Sequence, residues 1–152
     1  MTVGDGYQLR PARPEDYDAI ASVVDEWWGR PIVGSLPRLF LDHFHRTSLV
    51  VETAEGLVAF LVGLVSPSVP GRAHVHFVGV APGARGGGLA RRLYREFFAL
   101  AAGQGATSVT AITSPVNHGS VAFHRRMGFS VEGPVPDYDG PGKAMMVFHR
   151  AL

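Results

Sequence analysis

The sequence predicts an α/β (α+β) fold: a mixed, mostly antiparallel sheet of six to seven strands flanked by helices on both faces, in the order βααβββαβαββ. Three observations carry this expectation. Runs rich in β-branched residues alternate with amphipathic helical patterns along 152 residues, the length of one domain. Ala54-Glu55-Gly56 joins two such runs as a hairpin turn, with glycine supplying positive φ. Two further runs, 73–80 and 107–113, are separated by a helix and should lie parallel through that crossover.

In chain order, residues 1–6 read as a flexible end and 7–152 as the single domain. Residues 7–10 form a short strand that Pro11 and Pro14 stop. Pro14 at a helix start, with Glu15 and Asp16 in the first turn, opens a helix to residue 27 whose inner face carries Ile20, Val23, Val24 and Trp27. Leu36, Leu39, Phe40 and Phe44 mark a second helix over 35–46. Strands follow at 48–53, 57–65 and 73–80. A helix over 88–103 places Leu89, Leu93, Phe97 and Leu100 on one stripe, and the strand 107–113 comes next. Asn117 caps a helix to residue 127, where Phe123 and Met127 stack four residues apart and Gly128 ends the run. Strands 129–132 and 144–150 close the chain around a loop dense in Pro, Gly and Asp.

Composition narrows the function. The chain is 46% hydrophobic, as a globular domain should be, and its net charge of +1 gives no general attraction to nucleic acid or anionic membrane. It has no cysteine, so neither disulfides nor a thiol nucleophile enter, and a reducing, cytoplasmic setting is expected. The apolar run 57–65 is about half the length needed to span a bilayer and reads as a buried strand. Met1-Thr2-Val3-Gly4-Asp5-Gly6 lacks the basic and apolar regions of a secretory signal.

The chemistry concentrates where the strand 73–80 meets the following helix. Gly86-Gly87-Gly88 removes side chains from a turn that opens onto a helix N-terminus, whose amides lack intrahelical partners and whose dipole favours an anion. A phosphorylated ligand is expected there. Leu89-Ala90 follows where a Walker loop needs Lys-Ser or Lys-Thr, and the glycine spacing does not satisfy the dinucleotide fingerprint.

Arg85-x-x-Gly88-x-Ala90, preceded by Val80-x-Pro82, resembles the acetyl-CoA motif of the GCN5-related N-acetyltransferase (GNAT) superfamily. About thirty residues on, Asn117-His118-Gly119-Ser120-Val121-Ala122-Phe123-His124-Arg125-Arg126-Met127-Gly128-Phe129 is similar to that family's second element. The resemblance implies acetyl-CoA as co-substrate, with no metal. Phe77, Val78 and Val80 would pair with the pantetheine arm where the two parallel strands part. The segment Arg85, Gly86, Gly87, Gly88, Leu89, Ala90 would hold the diphosphate, with added charge from Arg91. Asn117 and Ser120 would reach the pantetheine, and His124 would face the sulfur in place of the family's usual tyrosine acid. The resemblance places His74 where the family often has a glutamate base, with His76 two residues on and on the same face of the strand; either is a candidate base, since imidazole titrates close to neutral pH.

The resemblance implies that the first two helices and the loop before the last strand wall the acceptor side; they carry Trp27, Trp28, Arg30, Phe40 and His43, then Asp137, Tyr138 and Asp139, of which Trp27, Trp28, Asp137 and Tyr138 are the candidate contacts for a cationic amine. The expected function is direct acetyl transfer to a primary amine of a small molecule or peptide in a ternary complex, with a homodimer through strand edges implied by the resemblance. Two other readings stay open: a non-catalytic acyl-CoA sensor and a nucleotide-binding protein of unrelated fold.

Overall fold

The computed structural model describes residues 6–152; apart from Gly6, the expected flexible end lies outside them. Seven strands form one sheet in the order β1-β2-β3-β4-β5-β7-β6. They are β1 (Gln8–Pro11), β2 (Leu49–Thr53), β3 (Gly56–Val65), β4 (Arg72–Val80), β5 (Ser108–Thr113), β6 (Ser130–Val135) and β7 (Met145–Ala151). All neighbours are antiparallel except β4 and β5. The helices are α1 (Asp16–Trp28), α2 (Leu39–Phe44), α3 (Leu89–Gly103) and α4 (His118–Arg126). Among the described residues no helix is long and apolar enough to cross a membrane.

The alternation of buried positions along the strands divides the interior into two cores, one on each sheet face. On one face α3 lays Leu89, Leu93, Tyr94, Phe97 and Ala101 against Leu61, Val75, Val109 and Phe148. Gly63 gives Phe97 its place, because a Cβ there would overlap the ring. On the other face Ile20, Val24 and Trp27 of α1, with Leu36 and Leu41, cover Val50, Phe60 and Val62.

Two departures from the sequence expectation have local causes. The helix expected over 35–46 is three pieces: a 3₁₀ turn at Val33–Ser35, the short α2, and a second 3₁₀ turn at His45–Thr47. Pro37 has no N–H to continue a helix and disfavours helical backbone at Leu36, which lies outside the helical region at φ −130°, ψ 72°. The strand expected over 129–132 runs on to Val135, because a register shift between Glu132 and Val135 accommodates Gly133-Pro134.

Two features of β4 create the site. Its parallel pairing with β5 ends at Val75–Ala111, although β4 continues to Val80 and β5 to Thr113. Its antiparallel register with β3 also shifts, from Val62 opposite Phe77 to Gly63 opposite Val75, which leaves His76 as an extra, unpaired residue. The bulge breaks strict alternation. Val75 packs in the α3 core, whereas Phe77 packs in the α1 core.

Candidate active site

Where β4 and β5 part, two adjoining cavities of about 400 and 390 Å³ open, sharing Trp28, Val78, Tyr94, Asn117, Ser120 and His124. The first reaches Gly79, Val80, Arg85 and Ala90 at the glycine turn. The second extends through the strand gap past His76, Phe77 and Thr113 to Arg30 and Asp139. The site is therefore a continuous trough with the helix N-terminus at one end and a mixed-charge mouth at the other.

The turn end fits an anionic ligand. No side chain caps α3, and its first i to i−4 hydrogen bond runs from the Arg92 N–H to the Gly88 carbonyl (3.0 Å), so the leading amides point out of the helix. Gly86 (φ 85°) and Gly88 (φ 83°) hold left-handed backbone, and a Cβ on either would meet no atom within 4 Å. The turn is thus both open and conformationally reserved for glycine. Leu89 is buried in the α3 core, so only its backbone can serve a ligand, and Arg91 is exposed outside both cavities.

Arg85 faces the protein. Its Nη2 donates to the Trp27 carbonyl (2.6 Å) and its Nε to the Val80 carbonyl (3.1 Å), tying the end of α1 to the glycine turn. Replacing it with methionine leaves both carbonyls without this donor. Arg85→Met should lower stability by about 1–2 kcal/mol in urea titration, and an unchanged midpoint would show that the tie carries no weight.

Asn117 caps α4 as its sequence position implies: Oδ1 accepts from the Ser120 N–H (3.2 Å) while Nδ2 donates to Thr113 Oγ1 (3.2 Å). One turn beyond Ser120, His124 is buried and stacked on Phe148 at 4.0 Å. Its Nδ1 lies 2.7 Å from the Ser120 carbonyl, which can only accept, so Nδ1 carries the hydrogen. The lone pair of Nε2 then accepts from the Tyr94 hydroxyl (2.7 Å). Burial holds His124 below the usual histidine range. The ring is neutral and both nitrogens are engaged inside the protein, so the Tyr94 hydroxyl is the proton donor of this pair.

His76 lines the second cavity, stacked on Phe40 at 3.9 Å, with Nε2 donating to the Ser35 carbonyl (2.7 Å). Burial lowers its pKa, and Nδ1 is left as the ring's acceptor. His74 is absent from the lining of both cavities. Its Nδ1 bonds Thr110 Oγ1 (2.9 Å) across the β4–β5 pair, and burial first, then the charges of His76 and Arg72, pull its pKa down to about 4.

On the acceptor side Trp28 packs against Phe77 at 5.2 Å and lines both cavities; Trp27 is buried on Phe60 and touches only the first. Asp137 and Tyr138 stay out of both. The Asp137 carboxylate accepts from the Gly142 N–H (2.8 Å) and closes the β6–β7 loop on itself, and Tyr138 is exposed. The same loop brings Asp139 to the mouth instead. Tyr94 is a site residue that helical periodicity hides in the α3 core stripe. Its signal is chemical: a buried tyrosine hydroxyl needs a partner. Among the described residues no three His, Asp or Glu side chains converge as a metal site.

A model of the acetyltransferase (GNAT) family matches residues 9–129, and the chain belongs to that family. No curated protein matches its sequence. Solved structures share the fold. Ard1 from Thermoplasma volcanium aligns at TM-score 0.82 with 19% identity, covering 97% of this chain and 98% of that one. A GCN5-related N-acetyltransferase from Kribbella flavida aligns at 0.75 with 22% identity over 99% and 100%. N-acetylglutamate synthase from Neisseria gonorrhoeae, complexed with coenzyme A and N-acetyl-glutamate, aligns at 0.78 with 20% identity, covering 96% of this chain and 35% of that longer one.

Proposed function

We propose that this acetyltransferase moves the acetyl group of acetyl-CoA directly onto a primary amine of a small molecule or peptide, both held at once in the trough. The observation that carries this reading is the continuity of the trough from the open α3 N-terminus, through the parted strands, to His76. The coenzyme A complex of the fold-sharing N-acetylglutamate synthase supports the choice of cofactor. When bound, acetyl-CoA supplies an acyl carbon open to attack and a thiolate that leaves readily.

The chain's own residues divide the remaining work. Amides at 86–90 would hold the diphosphate, and the β4 backbone beyond Val75, free of β5, would take the pantetheine arm. Trp28, Phe77 and Phe40 exclude water around His76. A carbon–nitrogen bond forms, a carbon–sulfur bond breaks, and the proton released by nitrogen passes to Nδ1 of His76. With no cysteine in the chain, no acyl-cysteine step is needed. His76→Ala should lower turnover about a hundredfold at pH 6.5 and less at pH 9, where more of the amine is already neutral; an equal loss at both pH values would remove His76 as the base.

A second reading, a non-catalytic acyl-CoA sensor, is favoured by one observation: both His124 nitrogens are internally bonded. Release of free coenzyme A from acetyl-CoA and an amine panel separates the two. Tight binding with no release would support the sensor.

A further inference from the structure

The second cavity is lined by two charged side chains among the described residues, Arg30 and Asp139. Among the described residues neither side chain has a hydrogen-bond or ion-pair partner. The segment bearing Arg30 is nevertheless firmly built. Glycine 29 ends α1 in left-handed backbone, and its N–H and that of Arg30 both donate to the Asp25 carbonyl (2.9 and 3.2 Å). The Asp25 carboxylate then accepts from the amides of Ile32 (2.8 Å) and Val33 (2.9 Å). One residue thus fixes the strap that presents the guanidinium. On the opposite element, hydrogen bonds between Asp139 and Lys143 (3.1 Å) and between Lys143 and Gly140 (2.9 Å) hold the turn that presents the carboxylate.

A mouth with one cation and one anion, each carried on a firmly held turn, discriminates among amines. A polyamine or aminoglycoside carries several positive charges and needs several carboxylates; here it would meet one carboxylate and be repelled by Arg30. An amine that also carries a carboxylate satisfies both groups. The guanidinium forks onto the carboxylate, and Asp139 draws in the ammonium before its proton is lost. A cavity of about 390 Å³, shared with the reacting acyl group, suits an acceptor of amino-acid size.

We infer that the acceptor is a free amino acid, a primary amine bearing a carboxylate, bound between Arg30 and Asp139. The inference rests on the acetyltransferase reading above and names its substrate class.

The test follows coenzyme A release with free amino acids, the matching amino-acid amides, and spermidine as acceptors. Wild type should turn over one or more amino acids with kcat/KM at least tenfold above their amides and above spermidine. Arg30→Met should raise KM for the acid about tenfold with little change in kcat, while leaving the amide unaffected. Asp139→Asn should raise KM for acid and amide alike. Acetyl-CoA affinity, measured by calorimetry, should be unchanged in both variants, which also verifies that they fold. Preference for spermidine, or equal losses on acid and amide in Arg30→Met, would overturn the inference and leave acetyl transfer standing. Absence of release from every amine despite acetyl-CoA binding would overturn both.

Discussion

Gly88→Glu should abolish coenzyme A binding, with affinity falling at least a hundredfold by calorimetry, while the circular dichroism spectrum stays that of the folded protein. Two effects add at this position. The backbone is left-handed at φ 83°, which costs a residue with a Cβ about 1 kcal/mol. The new carboxylate also stands at the uncapped end of α3, where it competes for the amides assigned to the diphosphate and repels that group. Gly88→Ala isolates the first effect and should weaken binding only several-fold. The space around Gly88 is open at the Cβ position, where neither substitution meets another atom of the fold. Unchanged affinity in Gly88→Glu would show that the phosphates lie elsewhere.

Stability should fall steeply on mild acidification, by up to about 3 kcal/mol between pH 6.5 and pH 4 from His74 alone. Burial, and the neighbouring charges of His76 and Arg72, depress the His74 pKa to about 4, against an unfolded value near 6.5. Above 6.5 neither state takes the proton and the native state keeps its full advantage. Below it the unfolded chain is protonated first, so stability is lost progressively until the folded pKa is reached. His76 and His124 are depressed by burial and act in the same direction. Urea titrations at pH 7.5 and 4.5 measure the slope. His74→Asn, which retains a polar side chain opposite Thr110, should flatten it, and an unaltered slope would assign the acid sensitivity to other groups.

The features legible in the sequence were those set by local chemistry. The stripe of Leu89, Leu93 and Phe97 required a helix facing the sheet, and Asn117 stands at the N-cap where a side-chain acceptor belongs. The parallel relation of β4 and β5 followed from the helix between them. Features decided by tertiary contact were hidden. Nothing in His74-Val75-His76-Phe77 announces a bulge, because the extra residue is defined only by where β3 runs; strict alternation therefore keeps Phe77 on the face of Val75, and the structure separates them. Arg85 reads as a cation beside a phosphate turn, yet one of the two carbonyls it binds belongs to Trp27, 58 residues away in sequence at the end of α1. The break in the second helix was readable, since Pro37 sits inside the proposed span, but the apolar spacing of Leu36, Phe40 and Phe44 masked it. Within the last loop sequence favoured Asp137 and Tyr138 over their neighbour Asp139. Only the self-closing bond of Asp137 leaves Asp139 to serve the cavity.

That closure makes the loop a separable part of the trough. Between β6 and β7 the chain is fastened by its own hydrogen bonds, from Asp137 to Gly142 and from Asp139 to Lys143, and neither Asp137 nor Tyr138 belongs to the cores. Residues exchanged or inserted there alter one lip of the trough without disturbing the glycine turn or α3. Preference for the molecule being modified can therefore be altered through this loop without touching the far end of the trough.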